Sequence, residues 1–452
     1  MIRISRVELL IFFNPLIGLF YSLLKTIKQV KYIKYYIIAI SLISSIVPLE
    51  IGDSQRKYGI YKTLKLIDFK ESYAFILQTY TQNSYFASLY YYILYIFQKL
   101  GLQYFQIVVI NVFFCGLFWY KTLKNITKGY MLPPIIFLMC LDIHNYITGL
   151  RYPLAISIYA YSLYQLIYNK KIRCYIFLSI VSLGIHTAVI SLILITLLSI
   201  SLKRLYKLII KVKILILGLS FFSEIIIKFI INILIRYFNN SIILRKVEGF
   251  TAGYYGNYKI YYSELLKNKL SWYIPIAVIL GLSIYIYIAT KKFSSKIKNE
   301  SDLIFYNLIL NLGTFCILML KFPTINLRYF KFFIPLSIIL ILKLNLKKHI
   351  LKSDLFFLKI IVTNLFFYWS ISILIIFYTI LKFNTINLKN SIQVLYQPAI
   401  LYILPLDKYN YSDKFLEKNL KIKKAGEEIN LKIKKHLLKE KQKHIKKTGR
   451  SL

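Results

Sequence analysis

The chain has 452 residues, a formal net charge of +42 at pH 7 and 58% hydrophobic residues. A mean hydropathy of +0.58 is too high for an ordinary soluble domain. Because the lysines and arginines are spread between apolar stretches and form no single patch, the charge argues against nucleic acid as a partner. Basic loops that face anionic lipid explain the charge better.

The sequence lacks the motifs of several common catalytic and metal-binding sites. The four cysteines do not form a close pair, so the sequence indicates neither a disulfide framework nor a zinc site. Walker A, H-E-x-x-H and G-x-S-x-G motifs do not occur. We therefore expect no metal and no cofactor.

Long apolar stretches follow one another along most of the chain, and a helix needs about 20 apolar residues to cross a bilayer. They predict an all-α, polytopic integral membrane helix bundle with about twelve transmembrane helices. The predicted spans are 7–24, 32–49, 84–100, 103–120, 131–148, 152–169, 174–202, 212–236, 271–290, 302–320, 328–346 and 355–381. Asn14-Pro15 interrupts the first one and no small-residue cleavage site follows it, so we interpret it as a retained span.

Lysine and arginine clusters predict the orientation, because short basic loops stay cytoplasmic. The loops 50–73, 142–151, 238–270 and 321–327 are then external. Two stretches leave alternatives open. Either 84–100 lies in the interface or one basic loop breaks the rule, and 174–202 is either one long tilted helix or a broken hairpin.

The chain divides into two predicted domains. Residues 1–406 form the transmembrane domain, whose last apolar piece, 393–406, either crosses or lies in the interface. Residues 407–452 are polar and lysine-rich with apolar residues at helical spacing, which is typical of a cytoplasmic amphipathic helix on the membrane surface.

Polar residues suited to chemistry gather on the predicted external side. They are charged or titratable residues in external loops or within apolar stretches: Asp53, Arg56, Asp142, His144, Arg151, His186 and Arg328. An arginine in the bilayer costs about 2.5–3.5 kcal/mol, and a lipid-linked phosphate offsets this cost because the guanidinium fork matches it. Simpler interpretations are interfacial anchors for the arginines, a helix–helix hydrogen bond for His186, and loop or capping roles for the remainder.

The stretch 147–197 contains an ordered set of small motifs. Arg151 opens a helix that carries Ala155 four residues on, Asn169-Lys170-Lys171 forms a short basic turn, and a second apolar run leads to His186-Thr187. Gly52, Asp53 and Tyr58 lie in the first external loop, and Arg328-Tyr329 opens a late span. This arrangement resembles the EpsG family, Wzy-like membrane proteins of bacterial polysaccharide assembly. Tyr152 follows Arg151 where the family usually has glutamine.

The resemblance implies a polymerase that joins undecaprenyl-pyrophosphate-linked oligosaccharide repeat units into a surface polysaccharide. It would work at the external face of the bacterial cytoplasmic membrane, with a chain-length regulator and a flippase as candidate partners. Arg151, Arg328 and Arg56 would hold the pyrophosphate. His186 or Asp53 would act as the base or position the acceptor. The glycan would contact Tyr329, Asp142 and His144.

Three other functions compete with this one. A lipid-linked glycan ligase or related glycosyltransferase uses the same donor, although such ligases typically carry a large external loop. A repeat-unit flippase or transporter predicts inverted repeats, and the sequence has no convincing internal symmetry. A membrane acyltransferase needs an acid or asparagine beside its histidine, and His186 has none close in sequence.

Overall fold

The computed structural model describes residues 5–28, 32–46, 54–65, 88–127, 150–202, 205–220, 299–319 and 322–345, with a few isolated residues between them. Within these ranges every regular element is a helix, which confirms the all-α prediction for this part of the chain. The chain divides into two units, Met1–Ile403 and Leu404–Leu452. The spans predicted at 131–148, 271–290, 355–381 and 393–406 and the tail 407–452 lie outside the described residues.

The helices are numbered here in chain order. They are α1 Arg6–Phe13, α2 Pro15–Lys28, α3 Ile33–Ile43, α4 Ser54–Lys65, α5 Ser88–Lys99, α6 Tyr104–Thr127, α7 Arg151–Ile167, α8 Ile172–Ile185, α9 Val189–Ser201, α10 Leu205–Ser220, α11 Glu300–Leu318 and α12 Pro323–Asn345. A short 3-10 turn, Ser44–Ile46, follows α3.

The first predicted span is two helices and not one. Asn14 ends α1 in an extended conformation, and its side-chain Oδ1 accepts a hydrogen bond at 3.0 Å from the backbone N–H of Ile17 in the first turn of α2. Pro15 begins α2, where its missing N–H costs nothing. The two helices pack so closely that a Cβ on Gly18 would lie 2.8 Å from the Cα of Ile11. The interruption that Asn14-Pro15 makes in the sequence is therefore a sharp turn in the fold.

Two helices among the described residues are long and apolar enough to cross a membrane. They are the segment Tyr104–Lys124 of α6 and all of α11, Glu300–Leu318, while α3, α8 and α9 are apolar but shorter. The expected number of about twelve spans therefore stays a prediction.

The surface of α8 reverses the pattern of a soluble protein. Ile176, Phe177 and Ile180 are at least half exposed, whereas Ser179 and Ser182 are buried. An apolar exterior around a polar interior suits a helix that faces lipid, because lipid supplies no hydrophobic force to bury isoleucine and the buried hydroxyls bond across helices.

The stretch 174–202 is a hairpin. Near its start, the hydroxyl of Tyr175 lies 3.4 Å from that of Tyr159 on α7, and near its end Thr196 Oγ1 lies 2.7 Å from the same Tyr159 hydroxyl. Between these points the Ser182 hydroxyl donates to the backbone carbonyl of Ala155, close to the start of α7, at 2.6 Å. Because α8 runs toward the start of α7 and α9 runs back, the hairpin alternative is confirmed.

Helices α11 and α12 extend this antiparallel arrangement. The Tyr168 hydroxyl donates to the Asp302 carboxylate at 3.3 Å, next to the basic turn Lys170-Lys171. At the other end the Tyr329 hydroxyl donates to the carbonyl of Ala188 at 2.9 Å. We call the end of α7 at Arg151 the arginine end and the end at Lys170-Lys171 the lysine end.

Helix α5 begins near the end of α8 and ends beside α4. A Cβ on Gly184, in the last turn of α8, would lie 3.0 Å from the Cβ of Leu89, and the Tyr61 hydroxyl of α4 donates a hydrogen bond of 2.9 Å to the carbonyl of Leu102, just after α5. Because the helix begins where the described residues begin, both alternatives for 84–100 stay open.

Candidate functional site

Four elements converge on the arginine end. Helices α7, α9 and α12 begin there, and α8 ends there. Helix N-termini carry partial positive charge and unpaired backbone N–H groups. The end of α8 carries the opposite partial charge, so the side chains decide the charge of the arginine end.

An asparagine from α6 sets the start of α7. Asn111 Nδ2 donates to the backbone carbonyl of Leu150 at 3.1 Å, and both residues are buried. Leu150 has a φ of 42°, a sparsely populated conformation for a leucine that costs about 1–3 kcal/mol. This contact fixes where the helix begins and hence where Arg151 lies.

Arg151 packs against two tyrosines of α5. Its Nη1 donates to the hydroxyl of Tyr91 at 2.8 Å. Its Cζ lies 5.0 Å from the ring centroid of Tyr91 and 5.9 Å from that of Tyr90, within the range of cation–π attraction. The residue as a whole is half-buried.

His186 occupies the turn between α8 and α9, outside both helices. Its Nδ1 accepts a hydrogen bond from the backbone N–H of Ala188 at 3.1 Å. This bond assigns the neutral ring to the tautomer with its proton on Nε2. The edge-on ring of Tyr152 holds the imidazole from the side at 5.3 Å between centroids. The ring nitrogen of His186 that is left for another partner is therefore an N–H donor, and not a basic nitrogen.

Burial and nearby positive charge both act on the pKa of this histidine. Burial in the protein lowers the pKa of His186 well below its ordinary value, and the positive charges of Arg151, Arg328 and Lys57 lower it further. The ring is thus neutral near pH 7. A neutral N–H group near cations can donate a hydrogen bond to an anion that the cations also bind.

Arg328 reaches the site from the second turn of α12. Its backbone carbonyl accepts a hydrogen bond from the Tyr152 hydroxyl at 2.5 Å, and its Cζ lies 6.0 Å from the Tyr152 ring centroid. The neighbouring Tyr329 is buried and bonds Ala188 through its hydroxyl. Tyr152 and Tyr329 together tie α12 to the hairpin turn.

Lys57 enters the site from α4. Its side chain is 0% exposed, and its Nζ lies 5.6 Å from the ring centroid of Tyr91. The adjacent Arg56 also belongs to α4, and its side chain lies outside the described part.

Around Tyr152 the structure brings together three of the residues singled out from the sequence, because Tyr152 follows Arg151 and its ring lies 5.3 Å from that of His186 and 6.0 Å from the Cζ of Arg328. Tyr329 lies beside them with its hydroxyl engaged by Ala188, and its contact with a glycan stays a prediction. Asp53, Asp142 and His144 lie outside the described residues.

Sequence reasoning missed three residues that shape the site: Lys57, Tyr91 and Tyr152. One signal was available for Tyr152, because it follows Arg151 on a helix whose start was identified. No sequence signal separates Lys57 or Tyr91 from the 41 tyrosines and the many lysines of the chain.

The side chains at the arginine end are suited to binding an anion. Their donors are two guanidinium groups, a neutral imidazole and a buried ammonium, and charge-assisted bonds of this kind are about twice as strong as neutral ones. In the described part of the chain no three His, Cys, Asp or Glu side chains come together as metal ligands. Asp302, an acidic residue of α11, lies at the lysine end.

A protein-family model matches most of the chain. The curated proteins contain no match to the chain, and neither do the solved structures. The model of the EpsG family matches residues 63–390, a range that includes Arg151, His186 and Arg328. Because this match covers well over half of the sequence, the chain belongs to the EpsG family.

Proposed function

We propose that this protein polymerises undecaprenyl-pyrophosphate-linked oligosaccharide repeat units into a surface polysaccharide at the external face of the bacterial cytoplasmic membrane. One observation carries the proposal: Tyr152, which follows Arg151 at the start of α7, contacts both the ring of His186 and Arg328 of α12, so two arginines far apart in the chain lie near one histidine. Family membership supports a role in polysaccharide biosynthesis.

The reaction needs positive charge beside the pyrophosphate leaving group. The bond between the sugar C1 and the pyrophosphate oxygen breaks, and its electron pair stays on that oxygen. The hydroxyl oxygen of the acceptor sugar bonds to C1 and gives up its proton. Negative charge therefore grows on the pyrophosphate, and fixed donors aimed at that charge stabilise the transition state.

Arg151 and Arg328 are the groups that would meet this charge. Arg151 is held by the Tyr91 hydroxyl, and the helix turn of Arg328 is held by Tyr152. Both arginines are thus positioned before the substrate arrives, which avoids reorganisation during the reaction.

His186 would supply an uncharged donor to the same anion or to the acceptor sugar. Its Nδ1 accepts the N–H of Ala188, so in the neutral ring Nε2 carries the proton and is the donor. In this proposal the acceptor proton goes to Asp53, the other residue predicted as a base. Nucleotide sugar and ATP are not required, because the donor is already activated.

A glycan profile of a deletion strain tests the function. The strain is complemented with wild type, Arg151→Ala, Arg328→Ala or Arg173→Ala. Arg173 is exposed near the lysine end and is the matched control. We expect single repeat units without the protein, a long ladder with wild type and with Arg173→Ala, and a loss of about 100-fold or more in polymer with either site variant.

The other functions give different products. Polymer that remains on its carrier in the deletion strain would identify a ligase. Repeat units that accumulate on the cytoplasmic side would identify a flippase. Either result contradicts polymerisation.

A further inference from the structure

Helix α10 begins at the lysine end of the protein. In its first turn the ring of Tyr206 lies 5.7 Å, between centroids, from the ring of Tyr306 on α11. One turn before Tyr306, Asp302 of the same helix accepts the hydrogen bond from Tyr168. The start of α10 therefore lies beside the basic turn between α7 and α8, on the side that the lysine clusters predict to be cytoplasmic.

Two exposed lysines lie on one face in the first turns of α10. Lys207 and Lys211 are both exposed, and residues four apart on a helix are neighbours. Like charges at this spacing repel each other and weaken the helix. Helix α10 has no acidic residue that could pair with them. An anion from outside the chain would offset this repulsion.

The same face of α10 becomes apolar beyond the lysines. Leu215 and Leu219 follow Lys211 at intervals of four residues, which keeps them near that face. Both leucines are exposed, and Leu215 is 61% exposed. The face thus presents positive charge near the lysine end and apolar side chains farther along. An anionic phospholipid has the same order, a negatively charged headgroup followed by acyl chains.

We propose that this face of α10 binds an anionic phospholipid, with its phosphate at Lys207 and Lys211 and an acyl chain along Leu215 and Leu219. Lysine binds phosphate as a point charge, and its apolar stem lets the ammonium reach the level of the headgroup. Basic residues near a membrane surface attract anionic lipids in this way. The site lies at the lysine end, away from Arg151, and does not depend on the proposed function.

Native mass spectrometry of the full-length protein, released from detergent, tests the proposal. The protein is titrated with dioleoyl phosphatidylglycerol or dioleoyl phosphatidylcholine, which have the same acyl chains and differ in net charge. The test variant combines Lys207→Gln with Lys211→Gln. The matched control combines Lys170→Gln with Lys171→Gln, which removes the same charge from the exposed turn at the same end. A third variant, Lys207→Arg with Lys211→Arg, keeps the charge.

We expect the wild type, the turn control and the arginine variant to bind phosphatidylglycerol about 25-fold more tightly than phosphatidylcholine, since each lysine near an anionic headgroup contributes about fivefold. The glutamine variant of α10 should bind the two lipids about equally. Glycerophosphoglycerol, which is the headgroup without acyl chains, should compete only weakly, because it cannot contact Leu215 or Leu219.

An unchanged preference in the glutamine variant of α10 would overturn the proposal. An equal loss in the turn control would also overturn it, because the preference would then follow the total charge and not this face. Competition by glycerophosphoglycerol as strong as by the intact lipid would make the ligand a free anion. If the double variant does not fold, Lys207→Gln and Lys211→Gln are tested singly, each with an expected loss of about fivefold. Polymer formation is not measured in this experiment, so each outcome leaves the proposed function unaffected.

Discussion

The hydroxyl of Tyr152 donates a hydrogen bond of 2.5 Å to the backbone carbonyl of Arg328, across 176 residues of sequence. The same side chain lies edge-on against His186. One tyrosine therefore links α7, the hairpin turn and α12 at the point where their charged residues meet.

Tyr152→Phe keeps the ring and removes this hydrogen bond. A typical hydrogen bond contributes about 0.5–1.5 kcal/mol, so we expect polymer formation to fall roughly three- to tenfold. The measurement is the ladder length and polymer yield of the complemented deletion strain. Tyr161→Phe, on the same helix toward the lysine end, should leave both unchanged. Equal activity of Tyr152→Phe and wild type would show that the link does not position Arg328.

His186→Gln separates the donor role from the base role. The glutamine amide nitrogen can take the place of the Nε2–H donor but cannot accept a proton at neutral pH. If His186 donates, as its bond from Ala188 indicates, Gln should stay within about tenfold of wild type while His186→Ala loses about 100-fold or more. Initial polymerisation rates of the purified proteins measure this. Equal losses for Gln and Ala would instead favour a general base.

The lowered pKa of His186 predicts a pH-dependent stability. In the unfolded chain the ring takes up a proton as the pH falls below about 6.5, whereas the folded protein resists protonation. The contribution of the neutral ring to stability is therefore complete above the unfolded pKa and is lost as the pH falls toward the folded pKa. Melting temperatures in detergent between about pH 7.5 and pH 5 should fall more for wild type than for His186→Gln. Parallel curves for the two proteins would contradict a depressed pKa.

Gly18→Ala should destabilise the turn between α1 and α2. The new Cβ would lie 2.8 Å from the Cα and 3.0 Å from the N of Ile11, and backbone atoms cannot move aside as a side chain can. We expect a loss of about 1–3 kcal/mol, seen as a lower melting temperature. Gly218→Ala is the control, because a Cβ there meets nothing within 4 Å. A similar melting temperature for Gly18→Ala would mean that α1 and α2 are free to separate.

The sequence predicted the helical class and singled out three residues of the candidate site because these depend on local signals. Apolar length indicates helices in a membrane, and an arginine or histidine in or beside such a stretch costs free energy that a functional role can offset. Arg151, His186 and Arg328 were found in this way.

Other features depend on packing that no local signal encodes. Lys57 is distinguished only by its position over Tyr91, which requires α4 and α5 to lie side by side. The tautomer of His186 depends on the backbone N–H of Ala188. The choice between one long helix and a hairpin at 174–202 depends on the contacts that Tyr159 makes with both α8 and α9. The first span failed as a single helix because hydropathy alone does not register the turn at Asn14.

The outward-facing isoleucine and phenylalanine side chains of α8 have a consequence for how a lipid carrier would arrive. Extracting a long isoprenoid from the bilayer would cost about 0.8 kcal/mol for each methylene moved into water. A helix that presents apolar side chains to lipid and polar ones inward lets the tail stay among the acyl chains while the charged head enters from the side. Under the proposed function the enzyme would therefore take its substrate by diffusion within the plane of the membrane, and the energetic cost of capture would fall on the headgroup alone.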